Sequence, residues 1–298
     1  MKSNFVDAAA IPVARSRSAD FVTLAKPRLN LLVVASAAAG YAMAGGDTAN
    51  VLTMVAVTLG TGLVAAGASA FNQIIEKEPD ALMRRTRQRP MADGRLRTGE
   101  AAAFATVLAL AGAGLLTVGA NLLSAFVALA TLIIYAAIYT PLKRHTSFAT
   151  VIGAIPGALP PMVGWAAARN SISQEAWVLF GIMFLWQLPH FLAIAWMYRE
   201  DYGRAGFPML PVIDPDGRST ARQAVVYTAA LLPVSLAPTL IGMTGTIYFV
   251  GALALTVGFL VLATRFGLTR RTPDARWLFF GSILYLPLLW ILMIADRL

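Results

Sequence analysis

Asn72-Gln73-Ile74-Ile75-Glu76-Lys77-Glu78-Pro79-Asp80-Ala81-Leu82-Met83-Arg84-Arg85-Thr86-Arg87-Gln88-Arg89-Pro90 follows directly on an apolar run that begins at Val51. Residues 51–76 are long enough to cross a bilayer as one helix, which takes about 20 apolar residues. The end of that run carries three oxygen-bearing side chains, Asn72, Glu76 and Asp80, at spacings of four, and then a cluster of arginines. Carboxylates beside hydrocarbon are costly and mark a site. A metal that organises a polyphosphate uses such acids, with cations beside it for the phosphate oxygens. The combination reads as an integral membrane enzyme that handles a lipid diphosphate.

Composition agrees. The 298 residues are 58% hydrophobic and only 13% charged, with a mean hydropathy of +0.67. A soluble domain carries roughly 25% charged residues. The net charge of +9 does not indicate nucleic-acid binding, because the basic residues sit in short loops between apolar spans instead of forming one patch. There is no cysteine, which excludes disulfides, thiolate metal sites and a cysteine nucleophile. The two histidines, His145 and His190, do not by themselves make a zinc site. Residues 1–28 contain no apolar core of a cleavable signal and read as a cytoplasmic tail, with residues 29–298 as a single membrane domain.

The hydrophobic pattern predicts an all-α polytopic protein with nine spans, near 29–46, 51–76, 100–119, 121–140, 148–168, 174–198, 222–242, 246–265 and 276–296. With the N-terminus cytoplasmic, all but Arg169 and Arg297 of the 24 Lys and Arg residues fall in or beside cytoplasmic segments. That asymmetry sets the orientation as N-inside and C-outside. Two cytoplasmic loops are long, after spans two and six, and each follows a polar constellation. Four spans separate them, so they share a face, and the arrangement hints at two related four-helix halves.

Residues at i, i+4 and i+8 form one stripe on a helix, so Asn72, Glu76 and Asp80 are expected at one cytoplasmic mouth. Pro79 lacks an N–H and clashes with the carbonyl four residues earlier. The helix is therefore expected to unwind near Glu76, leaving Asp80 on loop backbone. Arg84 and Arg87 are the preferred diphosphate ligands of their cluster, with Arg85 and Arg89 less suited. The second constellation holds His190 inside an apolar span, then Arg199, Glu200, Asp201 and Arg204, then the glycine- and proline-rich run from Gly206 to Pro211, read as a loop returning over the cavity. Lys143 and Arg144 add a third cationic point, balanced between topology anchor and phosphate ligand. Gly153, Pro156, Gly157, Pro160 and Pro161 make the fifth span kinked or broken, lining either a chamber or a close helix contact.

Taken together, the stretch from Asn72 to Pro90, Tyr139-Thr-Pro-Leu-Lys143-Arg144, Pro156-Gly-Ala-Leu-Pro-Pro-Met, Pro189-His190-Phe191 and Arg199-Glu-Asp201 through Pro211 resemble the UbiA-type intramembrane prenyltransferases, and within them the haem-farnesylating branch. The resemblance implies nine helices around a central cavity that opens to the cytoplasmic side of a bacterial inner membrane. It implies transfer of a farnesyl group from farnesyl diphosphate to a vinyl group of haem b, with water adding to give haem O and diphosphate. It implies Mg²⁺ on Asn72, Glu76, Asp80 and Asp201, diphosphate on Arg84, Arg87, Lys143, Arg144, Arg199 and Arg204, and a catalytic part for His190 at the haem. The implied partners are the bilayer and haem A synthase or other oxidase assembly factors. The chain departs from many relatives in having Glu at position 76 and Pro at position 79. The alternatives are an aromatic-acceptor prenyltransferase, which the Pro-His-Phe segment argues against, and a transporter, whose polar groups would lie at the midplane.

Overall fold

A computed structural model describes residues 16–46 and 49–298; the tail residues 1–15 lie outside the described residues. Helices α1 (Arg17–Ala25) and α2 (Pro27–Gly45) are separated by Lys26 alone. Helix α3 (Val51–Ile75) passes through Glu76 into the short α4 (Lys77–Leu82). After α5 (Thr98–Gly119), α6 (Leu122–Ile133) continues as a π-helical segment, Ile134–Tyr139, into α7 (Thr140–Leu142). The fifth span is split into α8 (Ala149–Ala158) and α9 (Pro160–Arg169). Helix α10 (Gln174–Met197) passes through Tyr198 into α11 (Arg199–Arg204), followed by α12 (Leu210–Ile213). The chain ends with α13 (Arg218–Leu240), α14 (Thr246–Thr269) and α15 (Thr272–Ala295).

Nine segments among the described residues are long and apolar enough to cross a membrane, and they match the nine predicted spans. Their packing follows chain order: α2 on α3, α3 on α5, α5 on α6, α6 on α9 and α8, α8 on α10, α10 on α13, α13 on α14 and α14 on α15. Helix α15 touches both α10 and α2, which closes the ring. The two-half pattern is visible in the backbone. Helices α3 and α10 each end at one non-helical residue with nearly the same dihedrals, Glu76 (φ −95, ψ 12) and Tyr198 (φ −114, ψ 21), and each is followed by a six-residue helix.

Two expectations change. Helix α3 does break near Glu76, but the break is confined to that one residue: the Glu76 N–H still reaches the Asn72 carbonyl at 2.9 Å, and the Asp80 N–H reaches the Glu76 carbonyl at 2.8 Å. Pro79 falls in the first turn of α4, where a missing N–H is tolerated, so Asp80 stands on a helix. Residues 17–25 are a packed helix: Leu24 is fully buried, Gln73 Nε2 donates to the Leu24 carbonyl at 3.0 Å, and Phe21 meets Phe104.

The glycines of the fifth span serve contact. A Cβ on Gly164 would lie 1.9 Å from the Ala37 carbonyl oxygen of α2, and one on Gly40 would lie 2.1 Å from the Pro161 carbonyl oxygen. Backbone meets backbone on both sides, the small-residue packing that bilayers favour because van der Waals contact replaces the missing hydrophobic drive. Gly164→Ala is therefore expected to destabilise the fold by about 1–3 kcal/mol, the usual penalty for overpacking. Thermal unfolding in detergent would measure it, and an unchanged melting temperature would refute the contact.

Candidate active site

The three side chains of the acidic stripe are buried together and each meets a cation. Lys26 Nζ donates to Asn72 Oδ1 at 3.1 Å. Asn72 Nδ2 donates to Glu76 Oε2 at 2.8 Å and to Thr140 Oγ1 at 3.3 Å. The other Glu76 oxygen, Oε1, pairs with Lys143. Asp80 Oδ2 accepts from Arg89 Nη1 at 2.7 Å, while Asp80 Oδ1 is buried without a hydrogen-bond partner. Leaving one buried carboxylate oxygen unpaired costs more than the ~1–3 kcal/mol of a neutral polar atom. Such an orphan is what a hard divalent cation would satisfy, and Asn72, Glu76 and Asp80 offer the oxygen donors it prefers.

Each cation arrives through an irregular piece of backbone. Lys26 has φ 49, in the left-handed region, a conformation that costs an ordinary residue about 1–2 kcal/mol. Pro27 starts α2 immediately after it, so the chain turns there and carries the ammonium to Asn72. The π-helical segment arises before Pro141: the Thr140 N–H reaches back five residues to the Tyr135 carbonyl, and Thr140 Oγ1 donates to the same oxygen at 2.8 Å. π turns gather at functional sites; this one places Thr140 against Asn72 and Lys143 against Glu76. Burial alone would lower the Lys143 pKa, but the Glu76 carboxylate outweighs it and holds the ammonium above the ordinary lysine value.

The second constellation comes down on the first. Met83, Phe207 and Met209 form one buried cluster. Arg85 lies over the rings of Tyr198 (5.0 Å) and Tyr202 (5.6 Å) and donates to the Tyr202 hydroxyl at 3.2 Å. Lys143 lies 5.7 Å from the Phe207 ring centroid. The segment after α11 thus rests on the acidic corner, as its glycine and prolines led one to expect. Asp201 is buried and pairs with Arg204. It does not join Glu76 and Asp80, since no three acidic or histidine side chains converge among the described residues.

The predicted cations separate by reach. Lys143 is on Glu76, and Arg89, the less favoured arginine, is the one on Asp80. Arg84 and Arg87 are exposed on the loop. Arg199 donates to the Trp196 carbonyl at 3.0 Å and stacks on that indole. Arg144 Nη2 donates to the Ile75 carbonyl at 3.0 Å. Lys26 escaped sequence reasoning because it reads as one more topology charge; the Lys-Pro junction after a short amphipathic helix was the available signal.

His190 sits deeper, about 12 Å along α10 from Tyr198 at 1.5 Å per residue. Its ring stacks on Trp186 and Phe279, and Nδ1 lies 2.7 Å from Ser282 Oγ. Ser282 Oγ is also 2.5 Å from the Phe279 carbonyl oxygen. Two oxygens that close need a proton between them, so the single hydroxyl proton is committed to Phe279. Nδ1 must then be the donor to Ser282, which leaves the lone pair of the neutral ring on Nε2.

The sequence profile described as the UbiA prenyltransferase family matches residues 33–285. A protein from Solibacter usitatus named protoheme IX farnesyltransferase is 49% identical, over 93% of this chain and 98% of that one. One of the same name from Koribacter versatilis is 42% identical over 96% of each. Among solved structures, one described as digeranylgeranylglyceryl phosphate synthase superposes with a TM-score of 0.78 at 15% identity, covering 94% of this chain and 98% of its own. A UbiA homologue from Archaeoglobus fulgidus bound to GPP and Mg²⁺ gives 0.67 at 15% identity, over 92% and 99%. These structures share the fold, and the profile and the full-length relatives fix the lineage: this multi-pass membrane protein belongs to the UbiA prenyltransferase family, in its protoheme IX farnesyltransferase branch.

Proposed function

We propose that the chain transfers the farnesyl group of farnesyl diphosphate to a vinyl group of haem b, with water completing the addition, to give haem O and diphosphate. The observation that carries this reading is full-length similarity to proteins of that name. The acidic corner explains how the donor half of the reaction would run. Asn72, Glu76 and Asp80 would hold Mg²⁺, and Asp201 of the second polar segment is the further candidate ligand. Mg²⁺, when bound, supplies positive charge to the oxygens of the leaving diphosphate. Lys143 and Arg89 pair with Glu76 and Asp80 in its absence, and Lys26 bonds the Asn72 amide beside them; on this reading all three would turn to phosphate oxygens. Arg84, Arg87, Arg199 and Arg204 stand at the rim for capture. As the C–O bond breaks, its electron pair leaves with the diphosphate, and the allylic cation accepts the vinyl π electrons to form the new C–C bond. Water then adds to the resulting cation and loses a proton.

On the acceptor side, His190 presents Nε2 from a wall of aromatic rings suited to a planar macrocycle. That nitrogen either meets the iron or accepts the proton of the attacking water. The site opens toward the cytoplasm, in the inner membrane of a bacterium, with the N-terminus inside; the placement of nearly all Lys and Arg on one side supports this. Haem A synthase or another oxidase assembly factor would receive the product.

Three outcomes are expected. Membranes given labelled farnesyl diphosphate with Mg²⁺ and haem b form haem O, and Asp80→Ala or Asp201→Ala lowers the rate by about 10² or more while leaving the folded protein in the membrane. Product from 4-hydroxybenzoate and none from haem would overturn the acceptor, and full activity in either variant would remove that carboxylate. Ser282→Ala frees the imidazole to change tautomer and is expected to lower haem turnover by about tenfold, as loss of an orienting partner does, without changing KM for the diphosphate; a diphosphate effect would refute it. Because the chain has no cysteine, Asp216→Cys and Ser171→Cys give a clean orientation test. In intact cells an impermeant thiol reagent should label position 171 and not 216, and the reverse pattern would invert the topology.

A further inference from the structure

Pro79 interrupts the corner on which the acidic stripe is built. In a continuous helix the N–H of residue 79 would donate to the carbonyl of Ile75, and proline has no N–H to give. The Asp80 N–H still reaches the Glu76 carbonyl, but residue 79 has no N–H for the Ile75 carbonyl at the break between α3 and α4. Arg144, from the turn after α7, fills that gap: its Nη2 donates to Ile75 O at 3.0 Å.

We infer that Arg144 is a positioning residue, which replaces from a distance the hydrogen bond that Pro79 removes and so sets the angle between α3, carrying Asn72 and Glu76, and α4, carrying Asp80. Its neighbour Lys143 holds Glu76 directly. Adjacent residues of one turn therefore clamp the join from two sides, one on the side chain of residue 76 and one on the backbone of residue 75. The guanidinium is suited to this, since it keeps its charge and its fixed donor geometry at the negative end of α3. This assigns Arg144 to the scaffold of the metal corner, distinct from the arginines free to take phosphate. The inference rests on the reading of Asn72, Glu76 and Asp80 as one ligand set.

The test is a double-mutant cycle between Arg144→Ala and Pro79→Ala, since alanine at 79 restores the backbone N–H that Ile75 lacks. Hydrogen–deuterium exchange of peptides covering residues 76–82 reads the join itself, and the Mg²⁺ concentration for half-maximal farnesyl transfer reads its consequence. Arg144→Ala alone is expected to speed exchange at the join and to raise that Mg²⁺ concentration about tenfold. In the Pro79→Ala background the same substitution should leave both close to the Pro79→Ala values. Unchanged exchange in Arg144→Ala overturns the inference. So does an equal loss in the two backgrounds, which is the signature of a phosphate ligand. The exchange measurement needs no turnover, so a failure of the proposed reaction and a failure of the clamp are told apart.

Discussion

Two carboxylates, Glu76 and Asp80, lie buried at the end of a membrane helix, and their charge has to be met by something other than water. Desolvating an unpaired carboxylate costs several kcal/mol even after relaxation, so the surrounding chain is organised around supplying cations. The turn after α7 brings Lys143 to Glu76 and the loop after α4 brings Arg89 to Asp80, while the turn between α1 and α2 brings Lys26 to the neighbouring Asn72 amide. Each segment is held in turn by its own contacts. Helix α1 is tied down by Gln73 and by the Asp20–Arg95 ion pair, and Arg95 also donates to the Gln88 carbonyl, which braces the arginine loop. The acids thus specify the arrangement of the surface above them.

Prolines place these groups by interrupting helices. Pro27 forces the Lys26 turn, Pro79 bends the acidic stripe, and Pro141 sets up the π turn that brings Thr140 and Lys143 to the site. Pro160 and Pro161 divide the fifth span so that α9 can lie on α2 backbone to backbone. In water such breaks would simply solvate. Here side chains add donors at the interrupted backbone, Thr140 at the Tyr135 carbonyl and Arg144 at the Ile75 carbonyl.

What could be read in the sequence follows from this. The nine spans were legible because apolar length is a local property, and Asn72, Glu76 and Asp80 because their spacing is local too. The ring closure and the partners of the acids were not, because they depend on where turns aim. Arg84 and Arg87 are nearer in sequence to Asp80 than Arg89 is, yet the turn bonded from Thr86 Oγ1 to the Asp80 carbonyl swings Arg89 back to it. Pro79 marks a break that the sequence shows, but not that a new helix starts at once and takes the proline in its first turn, which keeps Asp80 helical. Asp201 joins the other acids only through the family resemblance, whereas in the structure it pairs with Arg204, three residues along its own helix.

The two-half pattern has physical content, because it holds for the backbone and fails for the side chains. Glu76 and Tyr198 occupy matching positions where a long helix bends into a six-residue one. In the first half the bend carries a carboxylate, and the groups behind it are amide and hydroxyl. In the second half the bend carries a phenol, and the helix behind it presents His190 and Trp186 to Phe279 and Ser282 of α15. On the proposed reading, the first half would bind charge, and the second a flat, weakly polar surface while offering one nitrogen lone pair. A reaction joining a diphosphate ester to a macrocyclic alkene needs both surfaces, facing each other with water controlled between them. Two helix corners of the same backbone geometry but opposite polarity would supply that pair within one fold.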